Sequence, residues 1–403
     1  MNMRLILTFH LLFLHLAYGH AQQSGPVFFK TDKVVKVGAV QVDEYLYDLQ
    51  EMKVGVVANQ SSLANEKHLV DLLIENNVNL VRVFSPEHGF RGTEDAGKKI
   101  GDQRDEKTGL KIISLYGKNK KPNYDQIIDL DVIVFDLQDV GVRYYTYIST
   151  MFLVMQACAE MEKKMIVLDR PNPNGFYVDG PVLDPKFSSF VGMHEVPLVH
   201  GMTIGEYARM INGEGWLGDG LKCNLKVITC KNYDHNDFFK LRVKPSPNLP
   251  NMSSIFLYPS LGLFEGTVVS VGRGTDKPFQ QIGHPKYPYG DTSFVPKSVE
   301  GARTPKLMNE VCYGFDLEDF GLNEMPRMGK LYLHWLINMY ESIPDSANFF
   351  LANGFFDLLA GTDRLRLQII EGKKEKEIRA SWQEDLVNFK GIRKKYLLYD
   401  DFE

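Results

Sequence analysis

The chain has 403 residues, a formal charge of −5, and 44% hydrophobic against 24% charged residues. No basic excess is present to neutralise phosphates, which excludes an electrostatic nucleic-acid binder. The apolar content is ordinary for a globular protein with a full core, and the length points to two domains or one large α/β unit with an added layer.

The N-terminus carries Arg4 and then an apolar run over residues 5–17, broken by His10 and His15. The run is too short to span a bilayer, and Ala17-Tyr18-Gly19 and Gly19-His20-Ala21 offer small residues for cleavage. The expectation is a cleaved leader over residues 1–21 and an exported protein, periplasmic or secreted, without stable membrane insertion. The four cysteines (Cys158, Cys223, Cys230, Cys312) have no metal-ligand spacing. Cys223 and Cys230 are placed to pair in an oxidising compartment, with buried free thiols the expected state.

From residue 34 onward, short apolar runs alternate with helical patterns. Residues 53–59 (KVGVVAN), 79–85 (NLVRVFS), 111–117 (KIISLYG), 131–137 (DVIVFDL) and 164–170 (KMIVLDR) read as strands. Their near-continuous Val, Ile and Leu is what a parallel sheet covered on both faces requires. Residues 66–77 form an amphipathic helical segment with an Asn-Asn stop. A long buried helix is expected from Tyr145 to about Lys163. A further helix begins at Thr203, with Glu206 completing a capping box, and LKCNLKVITC (residues 221–230) is a strand. The pattern predicts a doubly wound parallel α/β domain, with a domain boundary near Asp234–Pro250 where the pattern changes to loops with interspersed strands and helices.

In such sheets ligands bind beyond the carboxyl ends of the strands, and here those ends are loaded with polar residues. The first strand leads into Asn59, Gln60, Ser61 and Ser62, and the second into Glu87 and His88. The fourth leads into Asp136, Gln138, Asp139, Arg143 and a tyrosine-rich helix start containing Tyr144, Tyr145 and Tyr147. The fifth leads into Asp169, Arg170, Asn172 and Asn174. Four such loops on one edge make a site. Each residue also has a plainer role open to it. Glu87 can cap a turn, His88 can be a hydrogen-bonded structural imidazole, Asp136 can brace loops, and Asp169 with Arg170 can form an ion pair. Arg143 is a candidate for binding a substrate carboxylate through its guanidinium fork.

The first βα turn lacks the glycines of a dinucleotide fingerprint, and neither a Walker A loop, HExxH nor G-x-S-x-G is present. No cofactor is expected. His194, Glu195 and His200 do not have standard metal-ligand spacing, and no metal is expected either. Carboxylates with amides and arginines suit acid/base chemistry on a hydroxylated substrate. Downstream, residues 262–285 (GLFEGTVVSVGRGTDKPFQQIGHP) read as a glycine-rich loop walling a site, with Glu265, Arg273, Thr275, Asp276 and Gln280 as its polar members.

VGVVANQSS, FSPEHGFRG, FDLQDVGVRYYTYISTM, LDRPNPNG, HGMTIGEYARMING, PSPNLP, the 262–285 stretch and the C-terminal SWQEDLVNFKGIRKKYLLY resemble, in order, the exo-β-N-acetylmuramidase NamZ family of peptidoglycan recycling. The resemblance implies a Rossmann-like, doubly wound N-terminal domain over residues 34–240 and a smaller C-terminal α/β domain over 241–403, with the active site in the cleft between them. It also implies release of N-acetylmuramic acid from the non-reducing end of peptidoglycan fragments, the expected partners. It makes Glu87 the acid, with Asp139 or Glu265 as its catalytic partner, or the substrate's own acetamido group in that role. The strand ends and the 262–285 stretch supply the expected substrate contacts, Asn59, Ser61, His88, Gln138, Tyr145, Arg170, Asn172, Thr275 and Gln280, and a lactyl carboxylate calls for an arginine, Arg143 or Arg273. The alternatives are a muropeptide-binding protein without catalysis and a hydrolase of another amino sugar, such as a glucosaminidase.

Overall fold

The computed structural model describes residues 34–87, 89–90 and 103–403, so the expected leader over residues 1–21 and His88 lie outside the described residues. Six parallel strands form the main sheet: β1 (Val54–Ala58), β2 (Leu80–Ser85), β3 (Lys111–Ser114), β4 (Val132–Asp136), β5 (Lys164–Leu168) and β6 (Asn224–Ile228). Their order across the sheet is β6-β5-β4-β1-β2-β3, and the two-residue strand Gln103–Arg104 is antiparallel on the outer edge of β3. This is the 3-2-1-4-5-6 order of the dinucleotide-binding fold, whose direction of winding reverses between β1 and β4.

The continuous apolar runs have the meaning expected of them: every residue of β1 and β4 is buried. Alternate residues serve opposite faces. Val132 and Val134 join one core with Val54, Val56 and Ile166, while Ile133 and Phe135 join another with Val57, Phe84 and Val167. The first core is closed by α1 (Leu69–Glu75) and by 3-10 turns that bring in Ala39, Tyr45 and Leu49. The amphipathic 66–77 segment is therefore helical only from Leu69, because Lys67–His68 pair as a two-residue strand with Leu63–Ala64.

The second core is covered by α2 (Tyr147–Glu160) and α3 (Ile204–Gly213) and runs without a break into the C-terminal region. The capping box of α3 forms as the sequence implies: Glu206 N donates to Thr203 Oγ1 at 3.3 Å and Thr203 N to Glu206 Oε2 at 2.8 Å. The smaller second domain holds α4 (Met252–Leu261) and a three-stranded antiparallel sheet, β7 (Gln281–His284), β8 (Thr292–Phe294) and β9 (Cys312–Asp316), in the order β7-β9-β8. It ends in α5 (Gln383–Arg393). The 262–285 stretch is thus not a loop throughout, since its last residues are β7. All four cysteines are buried free thiols.

The C-terminal tail returns to the main sheet. Leu398 N donates to Glu206 Oε1 at 2.8 Å, and the Tyr399 hydroxyl donates to Asp169 Oδ2 at 2.5 Å. The fully buried Arg393 guanidinium forks onto Asp401, with both contacts at 2.8 Å, and also donates to the Gly201 carbonyl. Burial lifts the Asp169 carboxyl to about 6 even with the Tyr399, Thr203 and Gly205 donors around it.

Candidate active site

The loops after β2, β3 and β4 face the second domain across a cleft of about 580 Å³. Glu87 stands in it because the strand stops at Ser85-Pro86 and the chain turns: Gly89 N donates to the Pro86 carbonyl at 3.2 Å. Gly89 has φ +78°, a conformation that costs glycine little and other residues much. Thr146 Oγ1 donates to Glu87 Oε2 at 3.3 Å. Thr146 is the N-terminal flanking residue of α2, yet its hydroxyl does not cap that helix; it serves Glu87 instead. The carboxylate therefore sits by the positive end of a fourteen-residue helix. Burial, with Glu87 alongside, pushes the Tyr116 phenol up to about 12, so it stays a donor through the neutral range.

The floor is aromatic. Tyr145 packs edge-on against Tyr147 at 4.8 Å and Tyr258 at 6.0 Å, and Tyr258 against Phe279 at 5.0 Å between ring centroids. The hydroxyls hold the rings in place. Tyr145 donates to the Pro245 carbonyl at 2.8 Å, Tyr144 to those of Tyr258 and Pro259 at 2.8 Å each, and Tyr147 accepts from Asn59 Nδ2 at 2.7 Å. Pinned aromatic faces with a few convergent polar groups are the usual lining of a small-molecule site, and their flat faces match the apolar face of a sugar ring. Phe190 and Lys120, whose ammonium lies 4.4 Å from the Phe190 ring centre, and Phe355 complete the lining.

The opposite wall carries Glu265, on the 3-10 turn Gly262–Gly266, and Arg273. Arg273 Nε lies 3.2 Å from Glu265 Oε1 without the alignment of a hydrogen bond. Behind the turn Lys306 donates to the carbonyls of Phe264 at 3.1 Å, Glu265 at 3.3 Å and Thr267. Burial lowers its ammonium to about 8, with Glu265 opposing the shift.

Glu87, Tyr145, Glu265 and Arg273 are therefore the expected site residues that share the cleft, and His88 lies outside the described residues. The others do not line it: Ser61, Gln138 and Arg170 border a separate cavity of about 800 Å³, Thr275 is half-buried, and the rest are buried. Asp139 lies behind the tyrosine floor: its Oδ2 accepts from Gly141 N at 2.6 Å, while Oδ1 has no hydrogen-bond partner among the described residues. Arg143, fully buried, donates to the carbonyls of Pro181, Val196, Leu359 and Ala360 at 2.6–3.1 Å, which leaves no fork for a substrate. Arg170 forks onto Asp136 at 2.6 and 2.8 Å rather than onto Asp169. Asn59 Oδ1 accepts from Ser61 N and Oγ, and the Ser61 hydroxyl accepts from Gln138 N. Gln138 Nε2 donates to the Asp139 and Pro171 carbonyls, and Asn172 Nδ2 to that of Met202. Thr275 bonds within its own turn and Gln280 to Asn251. Tyr116, Lys120, Thr146, Phe190, Asn248 and Tyr258 line the cleft without having been expected there. Of these only Thr146 carried a signal, its place between two tyrosines at the head of a helix.

Asp139 has a testable signature. Burial raises its carboxyl to about 7, and the His200 imidazole 3.8 Å away, pushed down to about 3 by burial, stays neutral. The folded value lies above the unfolded one, so the stability this group contributes is complete below about pH 4 and is lost as pH rises through 7. Asp139→Asn is expected to gain on the wild type by up to about 3–4 kcal/mol between pH 4 and 8, read by chemical denaturation at both ends. A difference that does not change with pH would refute the assignment.

The N-terminal model of the exo-β-N-acetylmuramidase NamZ family matches residues 54–253, and its C-terminal model matches residues 256–399. The chain belongs to the NamZ family. The peptidoglycan β-N-acetylmuramidase NamZ of Bacillus subtilis (strain 168) is 38% identical over 374 residues, covering 88% of this chain and 89% of that protein. Two crystal structures of DUF1343 family proteins from Bacteroides fragilis NCTC 9343 share the fold. One has a TM-score of 0.85 at 46% identity and covers 92% of this chain and 100% of its own. The other has a TM-score of 0.78 at 29% identity and covers 91% and 99%. The split between the two NamZ models falls at the start of α4, beside the cleft that joins the two parts of the molecule.

Proposed function

We propose that this chain is an exo-acting glycoside hydrolase that releases N-acetylmuramic acid from the non-reducing end of peptidoglycan fragments. The observation that carries the reading is the pair of carboxylates, Glu87 and Glu265, on facing walls of one aromatic-floored cleft in a NamZ-family chain. Glu87, held by Thr146 next to the N-terminus of α2, protonates the departing glycosidic oxygen. Glu265 faces the developing oxocarbenium ion and acts on the attacking group, whether water or the substrate's acetamido oxygen. The tyrosine floor fixes the ring and keeps water from its apolar face. The apolar run after Arg4, with small residues following it, supports a cleaved leader over residues 1–21 and an exported enzyme that meets cell-wall material.

Incubation with a muropeptide digest and mass analysis of the products tests this directly. Free N-acetylmuramic acid, appearing without free N-acetylglucosamine from the same chain end, is expected. Measurable binding with no product would leave a binding protein in its place, and release of N-acetylglucosamine alone would make it a glucosaminidase.

A further inference from the structure

The Arg273–Glu265 pair stands on the wall between two cavities. On one side is the main cleft, and on the other a smaller annex of about 210 Å³ whose lining adds Ser270, Arg303 and Lys306. Glu265 is the one acidic residue against three cationic ones in that lining, among the described residues. Lys306 is already engaged, because its ammonium holds three carbonyls of the turn that carries Glu265. Arg273 is not. Its described contacts are the misaligned approach of Nε to Glu265 and a 5.6 Å approach to the Phe279 ring. A guanidinium binds a carboxylate best through two parallel bonds, and this pairing leaves the fork open.

We propose that Arg273 is the specificity-determining residue and that it works by exchange: a carboxylate on the substrate's 3-O side arm takes the Arg273 fork and displaces Glu265, which is thereby released toward the glycosidic centre. The inference rests on the muramidase reading, since N-acetylmuramic acid differs from N-acetylglucosamine by a lactic acid ether at that position. No covalent bond changes in the exchange; one ion pair replaces another. Arg303 and Lys306 place further positive charge behind the incoming carboxylate. A sugar without the charged arm leaves Glu265 held by Arg273, so it is penalised in kcat as well as in KM.

The test compares the wild type with Arg273→Gln and Arg273→Lys on chromogenic N-acetylmuramide, its lactyl methyl ester and N-acetylglucosaminide, with thermal melts to verify folding. In the wild type the methyl ester is expected to behave like the glucosaminide, with a depressed kcat. In Arg273→Gln the ratio of kcat/KM for muramide over glucosaminide is expected to fall about a hundredfold, with glucosaminide kcat rising, and Arg273→Lys falls between the two. Parallel loss on all three substrates, or an unchanged ratio, overturns the exchange. Should Arg273→Gln not fold, a wild type that turns over the methyl ester as fast as the muramide overturns it alone. Failure of the wild type to release N-acetylmuramic acid from any substrate would instead remove the muramidase reading itself.

Discussion

Glu87→Gln is expected to lose about a thousandfold in kcat on a muramic acid glycoside, with KM changed little. The amide is nearly the same size and still accepts from Thr146 Oγ1, so the turn at Pro86–Gly89 and the approach to α2 are preserved. What disappears is the proton. The loss should depend on the leaving group: largest on a disaccharide, whose departing sugar alkoxide must be protonated, and several-fold smaller on an aryl glycoside with an acidic phenol. Equal losses on both substrates would place Glu87 in binding rather than in acid catalysis, and near-normal turnover on the disaccharide would remove it from the chemistry.

The largest effect on stability is expected at Arg143. Its guanidinium is fully buried and joins four carbonyls from three separate segments: Pro181, Val196, and the Leu359–Ala360 pair in the second domain. Gly361 lets the chain approach this closely, since a Cβ there would lie 2.3 Å from Arg143 Nη2. Arg143→Met fills much of the volume but removes the guanidinium donor from all four carbonyls, of which Val196 retains Leu183 N at 3.1 Å, at a cost of about 3–5 kcal/mol in unfolding free energy. Arg143→Lys should recover little of this, because one ammonium cannot reach four carbonyls arranged around a planar fork. Denaturant unfolding of the two variants beside the wild type measures the difference. A loss below about 1 kcal/mol would show that these carbonyls find other donors.

The sheet was legible because its physics is local. A strand buried on both faces must be apolar throughout, and residues 53–59 and 131–137 declare that without help from the rest of the chain. The capping box at Thr203 and Glu206 is equally local. Glu87 was legible because a strand broken at Ser-Pro and followed by glycine leaves a polar side chain at the sheet's carboxyl edge. The polar side chains around it were not. Arg143 and Arg273 are alike as letters; one is closed off by carbonyls more than two hundred residues away, and the other opens on the cleft. Asn59 and Gln138 sit at the expected edge, yet their hydrogen bonds hold the loops and the Tyr147 hydroxyl. Lys120 and Phe190 come from segments with no periodic signal and Tyr116 from the end of the 111–117 run, and only the closure of the second domain over the first gives them a common space.

The return of the tail to the main sheet bears on the order in which this protein is made. Asp169 leaves β5 and Glu206 opens α3, both complete by residue 213, yet Leu398 N and the Tyr399 hydroxyl lie 192 and 230 positions further along the chain than the carboxylates they serve. Until residue 399 has left the ribosome, Asp169 has its Arg170, Thr203 and Gly205 donors and Glu206 its Thr203 and His235 contacts, but each buried carboxylate lacks the further donor that the tail supplies. A nascent chain without the tail therefore carries a less stable sheet than one that includes it.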